Sequence, residues 1–289
     1  FSARFRNKYA NLIWLPRGFT GTESFVDFLN SDKINNLFSE SGKVSSLNSE
    51  YIFSLLNEFN SRHRHTLAEE YGLEIPLLAE SEFTQFVAHG QPAVVHLSDF
   101  ITKNIERLAA SIKSDFQKDG SARNRARLDS ATRMLREIDQ KAIYERFLKS
   151  SINPGLSNPH NPGDPGNQPD ILKMSPAQLV EMLKRIRTGS RIVLNLSGLS
   201  SADVLEILYD CSGRITHIEI FNMKDHTLGK TGSIREINDL RLAINRWNPI
   251  ELKRIILDII HREYDNTDGA DEERIARLKT ILSNMPKFK

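Results

Sequence analysis

The chain has 289 residues, 39% of them hydrophobic and 26% charged, with a formal net charge of +2. That length suits two domains of ordinary globular composition, each able to bury its own core. No run approaches the ~18 uninterrupted apolar residues of a membrane span. The single cysteine, Cys211, excludes an internal disulfide, and without a CxxC or Cys/His set no cysteine-based zinc site is expected.

The first residues, Phe1-Ser2-Ala3-Arg4-Phe5-Arg6, lack the apolar core of a signal peptide and a starting Met. They read as the start of a fragment from a cytoplasmic protein with no membrane partner. Asn11-Leu12-Ile13-Trp14-Leu15 then predicts a short strand closed by Pro16 and Gly18. Ser49 is a suitable N-cap for a helix carrying Ile52, Phe53, Leu56, Phe59 and Leu67, which Gly72 stops. His63, His65, Glu69 and Glu70 fall on this helix. His65 and Glu69, one turn apart, suit an ordinary surface pair better than a metal site.

A short helix follows Ser81 and ends at Gly90. Val94-Val95-His96-Leu97 reads either as a strand end or as a helix opened by Pro92. Ile101, Ile105, Leu108, Ile112 and Phe116 share one face of a helix that Gly120 terminates. Leu128, Ala131, Leu135, Ile138 and Ala142 share a face of the next, so the two form an antiparallel hairpin. Residues 51–100 carry 2 Lys/Arg against 7 Asp/Glu, and residues 101–150 carry 12 against 7. A basic helix face built by Arg123, Arg125, Arg127, Arg133, Arg136, Lys141 and Arg146 is one reading of this asymmetry. Mutual neutralisation of the two segments is the favoured one.

Residues 151–170 hold five of the 11 prolines and three of the 15 glycines, with no Lys or Arg. Proline fixes φ and removes a backbone donor, so this stretch predicts a linker between a mainly helical region, 1–150, and an α/β region, 171–289. Beyond it, Ser175-Pro176-Ala177-Gln178 is a capping box with proline at the first helical position. Arg191–Ser197 and Ile215–Phe221 read as strands. Between them lies a helix started at Ser200/Ser201 and stopped by Gly213, which makes a parallel βαβ unit. On the second strand, alternation sends Thr216, Ile218 and Ile220 to the core. Ser233–Glu236 and Asn248–Glu251 are further capping boxes. Ile255, Ile256, Ile259 and Ile260, and then Ile275, Leu278, Leu282 and Met285, mark two helical apolar stripes.

The predicted class is therefore mixed α/β. The alternative is an incomplete or elaborated (β/α) barrel with strands at Leu12–Leu15, Val94–Leu97, Ile192–Leu196 and Ile215–Phe221.

Ligands of parallel sheets gather beyond the carboxyl ends of the strands. That rule selects Asn195 and Ser197 after the first strand and the 222–233 segment after the second. In that segment Lys224, His226 and Lys230 supply cations or protons. Gly229, Thr231, Gly232 and Ser233 offer backbone amides and a helix start to an anion. Gly229-Lys230-Thr231 departs from the phosphate-binding GxxxxGK[ST] loop, because the position needing its first glycine is Lys224. His217 and Glu219, two apart on one strand, form a candidate acid/base pair. No cofactor is named by any motif and no metal-ligand set is assigned.

The resulting expectation is a domain that binds a phosphorylated or otherwise anionic small molecule, with proton transfer by His217 and Glu219 as its enzymatic form. The alternative is a non-catalytic protein–protein interaction or assembly module. A nucleic-acid partner for the Arg-rich helix ranks third, since no aromatic stripe accompanies it.

Overall fold

The computed structural model describes residues 1–159, 161, 168–220, 233–265 and 271–285. The chain forms two compact units, one of residues 1–41 with 168–289 and one of residues 42–167. It is mainly helical with a small mixed sheet, a mixed α/β protein.

The first unit opens with an antiparallel hairpin, β1 (Ser2–Phe5) and β2 (Lys8–Leu15), in which Phe5 faces Lys8 across Arg6-Asn7. Arg6 takes φ 53°, the positive φ a two-residue hairpin turn demands. Helix α1 (Thr22–Leu29) follows, then α2 (Asp32–Glu58), whose first turns belong to this unit and whose remainder belongs to the other. The predicted N-cap at Ser49 is thereby corrected. Ser49 lies inside α2, its hydroxyl donating to the Ser45 carbonyl four residues back (3.0 Å).

In the second unit, α2 runs through a π-helical turn, Phe59–His63, into α3 (Arg64–Tyr71). Gly72 ends α3 at φ +63°, the left-handed cap that glycine alone adopts without a Cβ penalty. Next come α4 (Glu80–Val87), α5 (Val94–Lys118), α6 (Ala122–Glu137) and α7 (Gln140–Ile143), then a second π turn, Tyr144–Leu148. Val94 thus begins a helix, which corrects the strand option for Val94–Leu97. Pro92 precedes that start, where its fixed φ and missing donor cost nothing.

Ile101, Ile105, Ala109 and Ile112 of α5 share a buried core with Ala131 and Met134 of α6. Where the two π turns meet, Phe59 and His63 pack on Phe147 at 6.0 and 5.4 Å. The buried Asn153 sits beside them. Its Oδ1 lies 2.9 Å from His63 Nε2, and its amide donates to the carbonyls of Phe147 (2.8 Å) and Lys149 (3.1 Å). Arg146 pairs with Glu70, while Arg133 donates to the Glu70 carbonyl (3.0 Å) and covers the Tyr71 ring. Arg146 thus pairs with an acid of the preceding segment, whereas Arg133 meets a backbone carbonyl there.

The first unit resumes with α8 (Asp170–Lys173) and α9 (Pro176–Ile186), both packed on β1. The Ser175/Gln178 capping box is present on α9 with Pro176 at its start. Strand β3 (Arg191–Leu194) pairs antiparallel with β2; α10 (Ser201–Asp210) then leads to β4 (His217–Ile218), parallel to β3. The sheet order is β1-β2-β3-β4. Helices α11 (Ile234–Asn245), α12 (Pro249–Tyr264) and α13 (Glu272–Asn284) follow, with α11 and α13 packed on α10.

Two expectations fail here for physical reasons. Thr216 and Ile220 are exposed and Ile218 only half-buried, because β4 is a two-residue strand at the edge of the sheet of the described residues. Ser233 sits at the start of α11 in helical geometry with no side-chain cap. Glu236, expected to complete that box, pairs with Arg262 of α12 instead.

Candidate functional site

The carboxyl end of β3 leads into the loop Asn195–Ser200. Ile192, Leu194 and Leu196 are buried, and this anchoring leaves the intervening Asn195 and Ser197 half-buried at the strand's end. The Asn195 amide donates to Glu219 Oε1 (3.0 Å), and the Leu196 N–H donates to Oε2 (3.2 Å). Asn195 Oδ1 accepts the Ser197 N–H (2.9 Å). Three of the predicted site residues, Asn195, Ser197 and Glu219, therefore converge at the ends of the adjacent parallel strands.

His217 is exposed, its Nδ1 lying 2.9 Å from the Thr216 hydroxyl. Thr216 in turn clamps β4 to β3, accepting the Ile192 N–H (2.8 Å) and donating to the Ile192 carbonyl (3.0 Å). Ser233 is half-buried at the head of α11. Lys224, His226, Gly229, Lys230, Thr231 and Gly232 lie outside the described residues.

The other end of the same loop carries a second polar cluster that the sequence reading missed. Ser200 caps α10, its hydroxyl accepting the Asp203 N–H (3.2 Å) while Asp203 Oδ2 accepts the Ser200 N–H (2.7 Å). The Asp203 side chain has 0% exposure. It also accepts Lys8 Nζ from the β1–β2 hairpin (2.8 Å) and an Arg274 amino group from α13 (2.6 Å). Lys8 donates further to the Gly198 carbonyl (3.2 Å). One turn along, the buried Glu206 receives Arg6 Nε (3.2 Å) and an Arg6 amino group (2.9 Å) on one oxygen. Its other oxygen, 3.4 Å from Arg274 Nε, has no hydrogen-bond partner, and neither does that Nε.

Environment drives the two carboxyls apart. Burial pushes Asp203 up, but hydrogen bonds from Lys8 and the Ser200 N–H, with the charges of Arg274 and Lys8, outweigh it and hold the carboxyl below its usual range. For Glu206 burial prevails over Arg6 and Arg274, and its carboxyl lies above the usual range.

A signal for part of this cluster exists in the sequence. Ser200-Ser201-Ala202-Asp203 has capping-box spacing, and Glu206 shares a face with Asp203 on a helix whose apolar residues leave little of it for solvent. Buried acids require paired cations. Nothing local identifies Lys8, 195 positions away from Asp203, or Arg274, 71 away, as those cations.

A cleft of about 880 Å³ opens elsewhere in this unit, at the C-terminal end of α10. Leu37, Ile171, Met182 and Ile186 give it apolar walls. On its rim, Glu181 takes both Arg185 (2.7 Å) and Arg214 (2.6 Å), and Asp210 takes Arg277. It lies at the opposite end of α10 from Ser200.

Comparison of the chain with protein-family models, curated proteins and solved structures finds no match. The chemistry of the strand ends must carry any functional argument.

Proposed function

We propose that the unit of residues 1–41 and 168–289 binds an anionic small molecule beside the loop Asn195–Ser200, with the 222–233 segment completing the site. The observation that carries this reading is the meeting of Asn195, Ser197 and Glu219 at the carboxyl ends of β3 and β4. Lys8, Arg6 and Arg274 lie beyond Ser200 but are paired with Asp203, Glu206, Asp271 and Glu263, so the cationic character of the site would come from the 222–233 segment. Lys230 and the amides of Gly229, Thr231, Gly232 and Ser233 would hold the anion, with Lys224 and His226 beside them. In the enzymatic form of this reading, Glu219, oriented by Asn195 and the Leu196 N–H, takes a proton and the exposed His217 returns it.

Isothermal titration of the full chain with pyrophosphate, a sugar phosphate, a nucleoside monophosphate and citrate tests the proposal. One class should bind, and Asn195→Ala and Lys230→Ala should each weaken it by about tenfold, the loss of one charge-assisted contact. Unchanged affinity in both variants would place the site elsewhere.

Nucleic acid gains less support, since Arg133 and Arg146 are committed to Glu70. A (β/α) barrel would require further parallel strands beyond β4, where the sheet of the described residues ends.

A further inference from the structure

Helix α11 ends in an unusual way. The Trp247 N–H donates to the Ile244 carbonyl (3.1 Å) and the Asn248 N–H to the Ala243 carbonyl (3.0 Å). This pair of bonds is the Schellman termination, whose left-handed position is normally glycine. Here that position is Trp247, at φ 51°. An L-residue held in that region stores strain, yet the side chain gains no packing in return, being 82% exposed. Ile250, in the first turn of α12, is also 82% exposed. The turn itself is fixed from both sides. Asn248 Oδ1 accepts the Glu251 N–H (3.1 Å), and Pro249 begins α12.

The charges nearby are ordered. Arg246 immediately precedes Trp247, and Lys253 lies one turn beyond Ile250; both are exposed, and among the described residues neither forms an ion pair. Glu251, the acid of this turn, is taken by Arg254 (2.5 Å). Two highly exposed apolar side chains thus share one preorganised turn with two exposed cations that form no ion pair among the described residues. That combination suits an anionic bilayer surface, where tryptophan is enriched at the interface and cations reach phosphate.

We propose that the α11–α12 tip docks on an anionic lipid surface, with Trp247 and Ile250 entering the interface and Arg246 and Lys253 meeting the headgroups. This is a contact with the membrane surface; among the described residues no helix is long and apolar enough to cross one. The expectation of no membrane partner rested on the absence of a span and did not address such a contact. The proposal is independent of ligand binding at the strand ends.

The test is sedimentation of the full chain with phosphatidylcholine vesicles, with and without phosphatidylserine, for wild type and for Trp247→Gly combined with Ile250→Ser. Glycine suits the left-handed position, so the variant should melt at or above wild type. Wild type should partition onto the phosphatidylserine vesicles and release with salt, and the variant should lose about tenfold or more of that partition. With Trp14→Phe, Trp247 becomes the one remaining tryptophan of two, and its emission should shift to the blue on binding. Equal sedimentation with both vesicle types overturns the proposal, as does a variant that partitions like wild type.

Discussion

Replacing Asp203 by asparagine removes one charge from the centre of the first unit while keeping its shape. The substituted amide retains an oxygen for the Ser200 N–H, so the cap on α10 survives. Lys8 and Arg274 lose the carboxylate that binds them at 2.8 and 2.6 Å. Breaking a buried ion pair from one side costs about 3–5 kcal/mol. Lys8 is about one-third exposed and can return to water, so the lower end applies, roughly 3 kcal/mol.

Urea unfolding measures this loss, with thiol labelling of the buried Cys211 at the end of α10 as a probe local to this unit. With a slope of about 2 kcal/mol per molar urea, the midpoint should fall by about 1.5 M. The acid limb should change as well. A carboxyl depressed in the folded state stabilises above its unfolded value, 3.8, and that contribution is lost as pH falls below it through the folded value. Asp203→Asn should therefore flatten the decline in stability below that pH. A midpoint shift under about 0.5 M, or an unaltered acid limb, would refute the reasoning that this buried network holds the hairpin, α10 and α13 together.

Asn153→Ala should destabilise the second unit by about 3 kcal/mol, since three hydrogen bonds to His63, Phe147 and Lys149 are lost around buried groups; urea unfolding followed by far-UV circular dichroism checks it. Burial, reinforced by Asp210, pushes the Cys211 thiol up to about 12 against Arg214, so it should resist a disulfide reagent in the native state near neutral pH and react on unfolding. Thr216→Val should loosen β4 on β3 by removing two hydrogen bonds to Ile192, at a cost of about 1–2 kcal/mol, and hydrogen exchange at Glu219, whose N–H donates to the Leu194 carbonyl, should speed up.

Local periodicity made much of this architecture legible. The Ser175-Pro176 start, the β3–α10–β4 order and the four buried isoleucines of α12 follow from spacing and capping chemistry. Ser49 reads as an N-cap, but α2 runs through it over 27 residues; buried residues such as Leu37, Tyr51 and Ile52 supply packing that outweighs weak local propensity. Strand β1 was missed because four residues give too short an alternating signal. At the site, the strand-end rule pointed to Asn195 and Ser197 because it depends on chain direction alone, whereas Glu219 came from its two-residue spacing to His217 on one strand. The pairing of Asp203 with Lys8 and Arg274 depends on tertiary folding, and local sequence carries no trace of it. Trp247 escaped notice for a related reason, since its importance lies in a positive φ that a tryptophan does not advertise.

The most direct test of the ligand reading is an amide-resolved NMR titration of the full chain with the anion class that binds in calorimetry. The account predicts saturable shifts concentrated in residues 195–200, at Glu219 and in 222–233. Shifts confined to the α9–α10 cleft around Met182 and Arg214, or the absence of saturable shifts with every class, would contradict it.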